Sequence, residues 1–310
     1  MRTCFLVNPY SGGGKGKELI APINKAIEEL RLNAFISCIG EERDLEGLFL
    51  REGARQIVVV GGDGTFSSLL SFSLNNQVVL GMLPIGTGND LAKEIGVFQR
   101  LSSKNIRAAI SKLLNFETRE LNIWKAGYGD SASREIFFCN YLSLGFDAVV
   151  MKSFNVRRQA AKPMKSTFGV LRNRWFYVQA AASNMSYTLP SGIKIEDEEH
   201  MKSYETPKSC VNILFPNIHS YMGLGISALS ASPFDEKLPM VIFDSPLSYL
   251  KSFSKRYFGL PKDCSSGASN WRLRLGSSQV PMQVDGELVG ELISGDLWIC
   301  FAGNIKVLAL

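Results

Sequence analysis

Near its start the chain three times runs an apolar stretch into a glycine-rich loop and then into a helical pattern, and this recurrence restricts the fold more than any other feature. Residues 3–7 lead into Asn8-Pro9-Tyr10-Ser11-Gly12-Gly13-Gly14-Lys15-Gly16. Residues 56–60 lead into Gly61-Gly62-Asp63-Gly64-Thr65, and residues 78–83 into Pro84-Ile85-Gly86-Thr87-Gly88-Asn89-Asp90. After the first loop, Leu19, Ile20, Ile23, Ile27 and Leu30 recur near a 3.6-residue period, which predicts a helix over 17–30. A further strand is expected over 34–39 and helices over 45–52, 66–74 and from Asn89 to Gly96. Strands and helices in alternation predict a parallel α/β sheet. Ligands of such sheets bind beyond the carboxyl ends of the strands, so the three loops are expected to converge on one site.

After Lys125 the texture changes to shorter strands with turn residues, interrupted by helical stretches near 146–154 and 167–183. Candidate strands are 135–144, 209–215, 238–243, 271–275, 281–284 and 297–301. At 310 residues two domains are expected. We place an α/β nucleotide-binding domain over 1–125 and a β-rich domain over 126–310. No apolar run approaches the roughly 18 residues of a spanning helix. The start reads as no cleaved signal, and the cytoplasm is the default compartment. The six cysteines form no C-x-x-C pair and the two histidines give no zinc-ligand spacing with them, so reduced thiols are expected.

The chemistry of the loops follows from their composition. Glycines let backbone N–H groups approach phosphate oxygens, and the first loop suits a nucleotide phosphate, although Pro9 and Gly16 exclude a Walker A pattern. In the second loop Asp63 stands between glycines at the mouth of a buried strand, where a carboxylate can hold Mg²⁺ near phosphates. It could equally cap the following helix, as could Asn89 or Asp90 in the third loop.

Taken together, Asn8-Pro9 with Ser11-Gly12, the loop at 61–65, and Leu83-Pro84-Ile85-Gly86-Thr87-Gly88-Asn89-Asp90-Leu91-Ala92 resemble the catalytic domain of diacylglycerol kinases and related lipid kinases. The glycine-aspartate loop is shared with NAD kinases and phosphofructokinases. The Gly-Thr-Gly-Asn-Asp loop is similar to the lipid branch. Asn140-Tyr141-Leu142-Ser143-Leu144-Gly145-Phe146-Asp147-Ala148, the helix around Trp175, the stretch 217–225 and Val284-Asp285-Gly286-Glu287 resemble the accessory region of the eukaryotic-type enzymes. The resemblance implies a Rossmann-like α/β domain of the NAD kinase and phosphofructokinase kind beside a β-sandwich, whose C-terminal segment returns towards the first domain. It implies ATP and Mg²⁺ as cofactors and Asp63 as the residue positioning the metal. Glu287 is implied as general base on a lipid hydroxyl, and Asn8, Ser11, Gly12, Gly62, Gly64, Thr65, Thr87, Gly88, Asn89 and Asp90 as the nucleotide surround. The implied reaction converts diacylglycerol to phosphatidate. Sphingoid-base or ceramide phosphorylation, a soluble NAD kinase and a lipid-binding pseudokinase remain open. Asn122 stands where the family usually has Asp, and Glu236 follows Asp235 where it commonly has Gly.

A kinase acting on acylglycerol must meet a membrane. From Ala148 to Ile195 there is no acidic residue, while Lys152, Arg157, Arg158, Lys162, Lys165, Arg172, Arg174 and Lys194 are basic. Near an anionic leaflet each such charge contributes about 1 kcal/mol, so residues 152–174 are expected to dock the protein peripherally. A second candidate is an aromatic-basic helix over 248–258, where Tyr249, Phe253 and Tyr257 also suit an ordinary buried stripe. No nucleic-acid module accompanies the charges. A homodimer is left open.

Overall fold

Four segments rich in Val, Ile, Leu and Phe form a parallel sheet because both of its faces are covered, so no polar alternation is required. They are β1 (Thr3–Val7), β2 (Ala34–Cys38), β3 (Gln56–Gly61) and β4 (Val79–Pro84). Phe5, Leu6, Val58, Val59 and Val60 have no exposed surface at all. The computed structural model describes residues 1–40, 44–85, 89–97, 105–128, 134–160, 167–221, 231–252, 267–290 and 292–310. These residues divide into two compact units, Met1–Ile123 with Gly303–Leu310, and Trp124–Ala302.

In the first unit the strands run in the order β2-β1-β3-β4. β1 pairs on one side with β2, reached through α1 (Ser11–Glu29), and on the other with β3. The crevice between the carboxyl ends of β1 and β3 is therefore a topological switch point. The last strand, β15 (Ile293–Ala309), contributes Val307 opposite Leu80 of β4, with Val307 and Leu308 buried. Residues 66–74 are not one helix but α3 (Asp63–Ser67) and α4 (Leu70–Asn76), and the Ser68 hydroxyl bonds the Thr65 carbonyl at 2.8 Å beside the break. The helix α6 (Ile106–Leu114), capped by the Asn105 side chain on the Ala108 N–H, was not foreseen.

The second unit is built on two sheets. One has the order β11-β10-β7-β13-β14, from β7 (Tyr141–Gly145), β10 (Asn212–Pro216), β11 (Val241–Phe243), β13 (Met282–Val284) and β14 (Glu287–Leu288). The other contains β8 (Lys194–Asp197), β9 (Lys202–Glu205), β12 (Asn270–Val280) and the first part of β15, with β6 (Arg134–Phe138) and the end of β5 (Glu117–Tyr128) from Trp124 onward alongside. Alternation assigns the faces. Leu142, Leu144, Ile213, Phe215, Ile242, Met282 and Val284 join Trp271, Leu273, Leu297 and Ile299 in the inter-sheet core. Their neighbours Tyr141, Leu214, Val241 and Phe243 point the other way, under α7 (Phe146–Ala160), α8 (Thr167–Ser183) and α9 (Pro246–Ser252). The single strand expected over 135–144 is two strands in different sheets. Tyr249 of α9 is fully buried against Phe146 and Phe243, so this aromatic side chain serves the core; Phe253, Tyr257 and the rest of the expected helix beyond residue 252 lie outside the described residues. Cys4, Cys38, Cys139 and Cys210 are buried thiols outside any disulfide, and burial pushes Cys4 and Cys210 up to about 12.

Candidate nucleotide site and its surroundings

The first two glycine loops and the flanks of the third, Ile85 and Asn89-Asp90, meet at the switch point. The side-chain amide of Asn8, just past β1, donates to the Thr65 hydroxyl at 2.9 Å, joining the first two loops across the β1/β3 crevice. Its oxygen accepts the Tyr10 N–H at 3.1 Å, which closes a turn that sends the chain into Ser11. Gly12, Gly13 and Gly14 all take left-handed conformations, with φ of 61°, 72° and 96°. Space also excludes a side chain at Gly12, where a Cβ would lie 2.5 Å from the Ile85 carbonyl oxygen of the third loop. At Gly16 a Cβ would run into the Asn8 carbonyl. The Ile85 N–H in turn bonds the Gly61 carbonyl at 3.0 Å.

Asp63 opens α3 directly after β3 and is half-buried between Gly62 and exposed Gly64. Its Oδ2 accepts the Asp90 N–H at 2.6 Å, tying the second loop to the start of α5 (Asp90–Glu94). The neighbouring Asn89 is 2% exposed and left-handed, with φ 49°. Asp90 is also buried, and its carboxylate receives the Lys93 ammonium at 2.9 Å. Magnesium takes oxygen ligands from one or two carboxylates together with phosphate oxygens and water. Asp63 has that donor chemistry, whereas the Asp90 charge is already met by Lys93. The arrangement thus offers backbone N–H groups from a glycine turn and a carboxylate beside them, a set suited to a metal-bound polyphosphate.

Among the residues expected at the site, Asn8, Ser11, Gly12, Gly62, Asp63, Gly64, Thr65, Asn89 and Asp90 share this end of the first unit. Thr87 and Gly88 lie outside the described residues. Glu287 belongs to the second unit, where it opens β14 with its side chain exposed. Asn122 is buried in β5, at 2% exposure. Asp235 sits on an exposed turn, and no cluster of three acidic, cysteine or histidine side chains able to hold a metal occurs among the described residues.

Two features of the second unit were not foreseen. The Asp285 carboxylate, 7% exposed, accepts three successive backbone N–H groups, from Cys139 at 3.1 Å, Asn140 at 2.8 Å and Tyr141 at 3.0 Å. These groups are lost to any ladder, which is why β6 and β7 are separate strands. Asp285 and Gly286, with φ of 49° and 82°, form the turn that delivers Glu287 to β14. The Asp-Gly pair signals this turn, but nothing local signals partners so distant in sequence. Nearby, Asp147 is fully buried and receives the Ser143 hydroxyl at 2.6 Å and the Gln283 amide at 2.7 Å. Burial raises its carboxyl to about 6, with both of those hydrogen bonds opposing the rise.

Comparison with known proteins supplies the family context. The chain matches the diacylglycerol kinase catalytic domain over residues 2–126 and the diacylglycerol kinase accessory domain over residues 137–288. It is 26% identical over 235 residues to diacylglycerol kinase 2 of Arabidopsis thaliana, covering 70% of this chain and 32% of that protein. It is 30% identical over 196 residues to human diacylglycerol kinase iota, covering 57% and 18%. A Mycobacterium tuberculosis diacylglycerol kinase is 29% identical over 159 residues, covering 49% and 48%. The chain therefore spans half or less of the length of these relatives. The crystal structure of a diacylglycerol kinase from Bacillus anthracis strain Sterne superposes with a TM-score of 0.68 at 17% identity, covering 100% of this chain and 97% of that one, a likeness of fold.

Proposed function

The chain belongs to the diacylglycerol kinase family, and on that premise we propose that it is an ATP-dependent lipid kinase transferring the γ-phosphate to the primary hydroxyl of diacylglycerol, giving phosphatidate. The observation that carries the reading is the meeting of two glycine loops with Ile85 and Asp90 of the third at the β1/β3 switch point, with the Asp63 carboxylate held by the Asp90 N–H. Phosphoryl transfer depends mainly on alignment and charge neutralisation, so the protein's task is to hold the nucleotide rather than to supply unusual chemistry. Mg²⁺, when bound through Asp63, neutralises charge on the phosphate oxygens.

In this reading Gly12 to Gly14 bring backbone N–H groups against phosphate, and the Asn8–Thr65 bond fixes the spacing of the two loops. The Asp90 N–H on Asp63 Oδ2 sets the carboxylate's direction. Glu287 takes the proton from the attacking lipid hydroxyl as general base. The basic stretch at 152–174 brings the protein to an anionic membrane surface.

Incubating purified protein with ATP, Mg²⁺ and mixed micelles of diacylglycerol tests the proposal. Phosphatidate is the expected product, and its absence alongside an active control kinase contradicts the reading. A panel adding sphingosine, ceramide, monoacylglycerol and NAD separates the neighbouring substrates. Asn122 favours one variant, a kinase of reduced turnover; Asn122→Asp is then expected to raise kcat.

A further inference from the structure

We propose that the outward face of α8 is a bilayer-insertion surface, with Trp175, Val178 and Met185 entering an anionic leaflet while basic side chains of α7 hold its headgroups. The basic stretch alone gives attraction to a charged surface. The structure adds an apolar wedge beside it.

α8 is apolar on two sides. Its inner side packs into the second unit, where Ala180 and Ala181 are buried and the Tyr177 ring meets Phe154 of α7 at 6.1 Å. The opposite side carries Trp175 and Val178, 59% and 55% exposed, followed by exposed Ala182 and, just past the helix end, Met185 at 41%. Intervals of three, four and three residues put these side chains in one stripe. A helix that only covers a core has a polar outer face. On α7, Val156 adds a further exposed apolar side chain at 62%.

Charge identifies the occupant. Neither helix has an acidic residue after buried Asp147, and none occurs from 148 to 195. Lys152 and Arg158 are exposed. Arg157 bonds the Ser183 hydroxyl at 3.0 Å, and Arg158 lies over the Phe154 ring at 5.4 Å. Among the described residues neither arginine has a carboxylate partner, so both charges remain available to an anion. A second copy of the same face would set basic side chains against each other, which disfavours self-association. An anionic bilayer satisfies both halves at once, since tryptophan settles at the lipid–water boundary and cations at the headgroups. The inference rests on the lipid-kinase reading only in its choice of a membrane as the relevant surface.

The test uses the full chain with phosphatidylcholine vesicles, with and without phosphatidylserine, followed by flotation and tryptophan emission. Binding and a blue shift are expected only with phosphatidylserine. Trp124 and Trp271 are buried, and Trp175→Phe assigns the shift. Trp175→Ala combined with Val178→Ala is expected to weaken partitioning about tenfold or more. Lys152→Gln and Arg158→Gln should each weaken it about fivefold and lessen its salt dependence. All four positions are exposed, so an unchanged Tm checks that folding is intact. Equal binding by the Trp175/Val178 variant, equal binding to neutral vesicles, or a dimer that this variant abolishes would each overturn the proposal. Turnover of a short-chain, monomerically dispersed diacylglycerol reads the kinase reading separately, and the Trp175/Val178 variant should leave it unchanged.

Discussion

At the residue scale, two buried carboxylates of the second unit have opposite consequences. Asp285 is the acceptor of three backbone N–H groups, and a buried donor left without an acceptor costs about 1–3 kcal/mol. Asp285→Ala is therefore expected to lower unfolding free energy by about 3 kcal/mol or more, measured by urea titration, with Asp285→Asn restoring part of the loss. An unchanged urea midpoint would show that the clamp is dispensable. Asp147 works in the other direction. Its folded carboxyl titrates near 6 rather than at its ordinary 3.8, so between those values the folded state keeps a proton that the unfolded chain releases. Its contribution to stability is then lost as pH rises through that window, by about 3 kcal/mol in total. In Asp147→Asn the fall in urea midpoint between about pH 4 and 7 should flatten. That the loops of Asn8, Asp63 and Thr65 come together was legible in the sequence because short loops after apolar strands have few places to go. The Asp285 clamp was not, because its donors lie 144 to 146 positions away.

At the element scale, the glycine loop illustrates what pattern can and cannot supply. The periodicity from Leu19 to Leu30 marks the helix, and glycines mark the turn before it. The need for glycine at 12 comes from the Ile85 carbonyl of a different loop. Gly12→Ala combines that clash with a left-handed φ of 61°, so it should separate the first and third loops. We expect ATP affinity to fall at least tenfold by calorimetry with a smaller change in Tm; unaltered affinity would remove this loop from the nucleotide site. Thr167–Ser183 was legible as a helix, although its outward face was not. The sequence marks its basic residues, but only the exposure of Trp175 and Val178 shows that an apolar stripe is left uncovered. The misread strand over 135–144 has a similar origin. Its residues suit a strand throughout, and the break is imposed from Asp285.

At the scale of the whole molecule, strand order decides where a ligand can sit. Alternating strands and helices foretold a parallel sheet, but not that β1 would lie between β2 and β3. That placement creates the crevice bridged by Asn8 and Thr65. Nor does local pattern reveal that residues 303–310 join the first unit, where Val307 meets Leu80. Such pairings reflect which apolar surfaces remain uncovered once the rest has folded. The central claim is that this assembly moves phosphate from ATP to a lipid, and Asp63 is where it is most exposed to refutation. The direct measurement is formation of labelled phosphatidate from ATP and diacylglycerol micelles by the full chain and by Asp63→Asn. Mg²⁺-dependent product from the first, with kcat reduced at least a hundredfold in the second at unchanged Tm, is the predicted result. Equal turnover by both proteins, or no lipid product from the first, would contradict it.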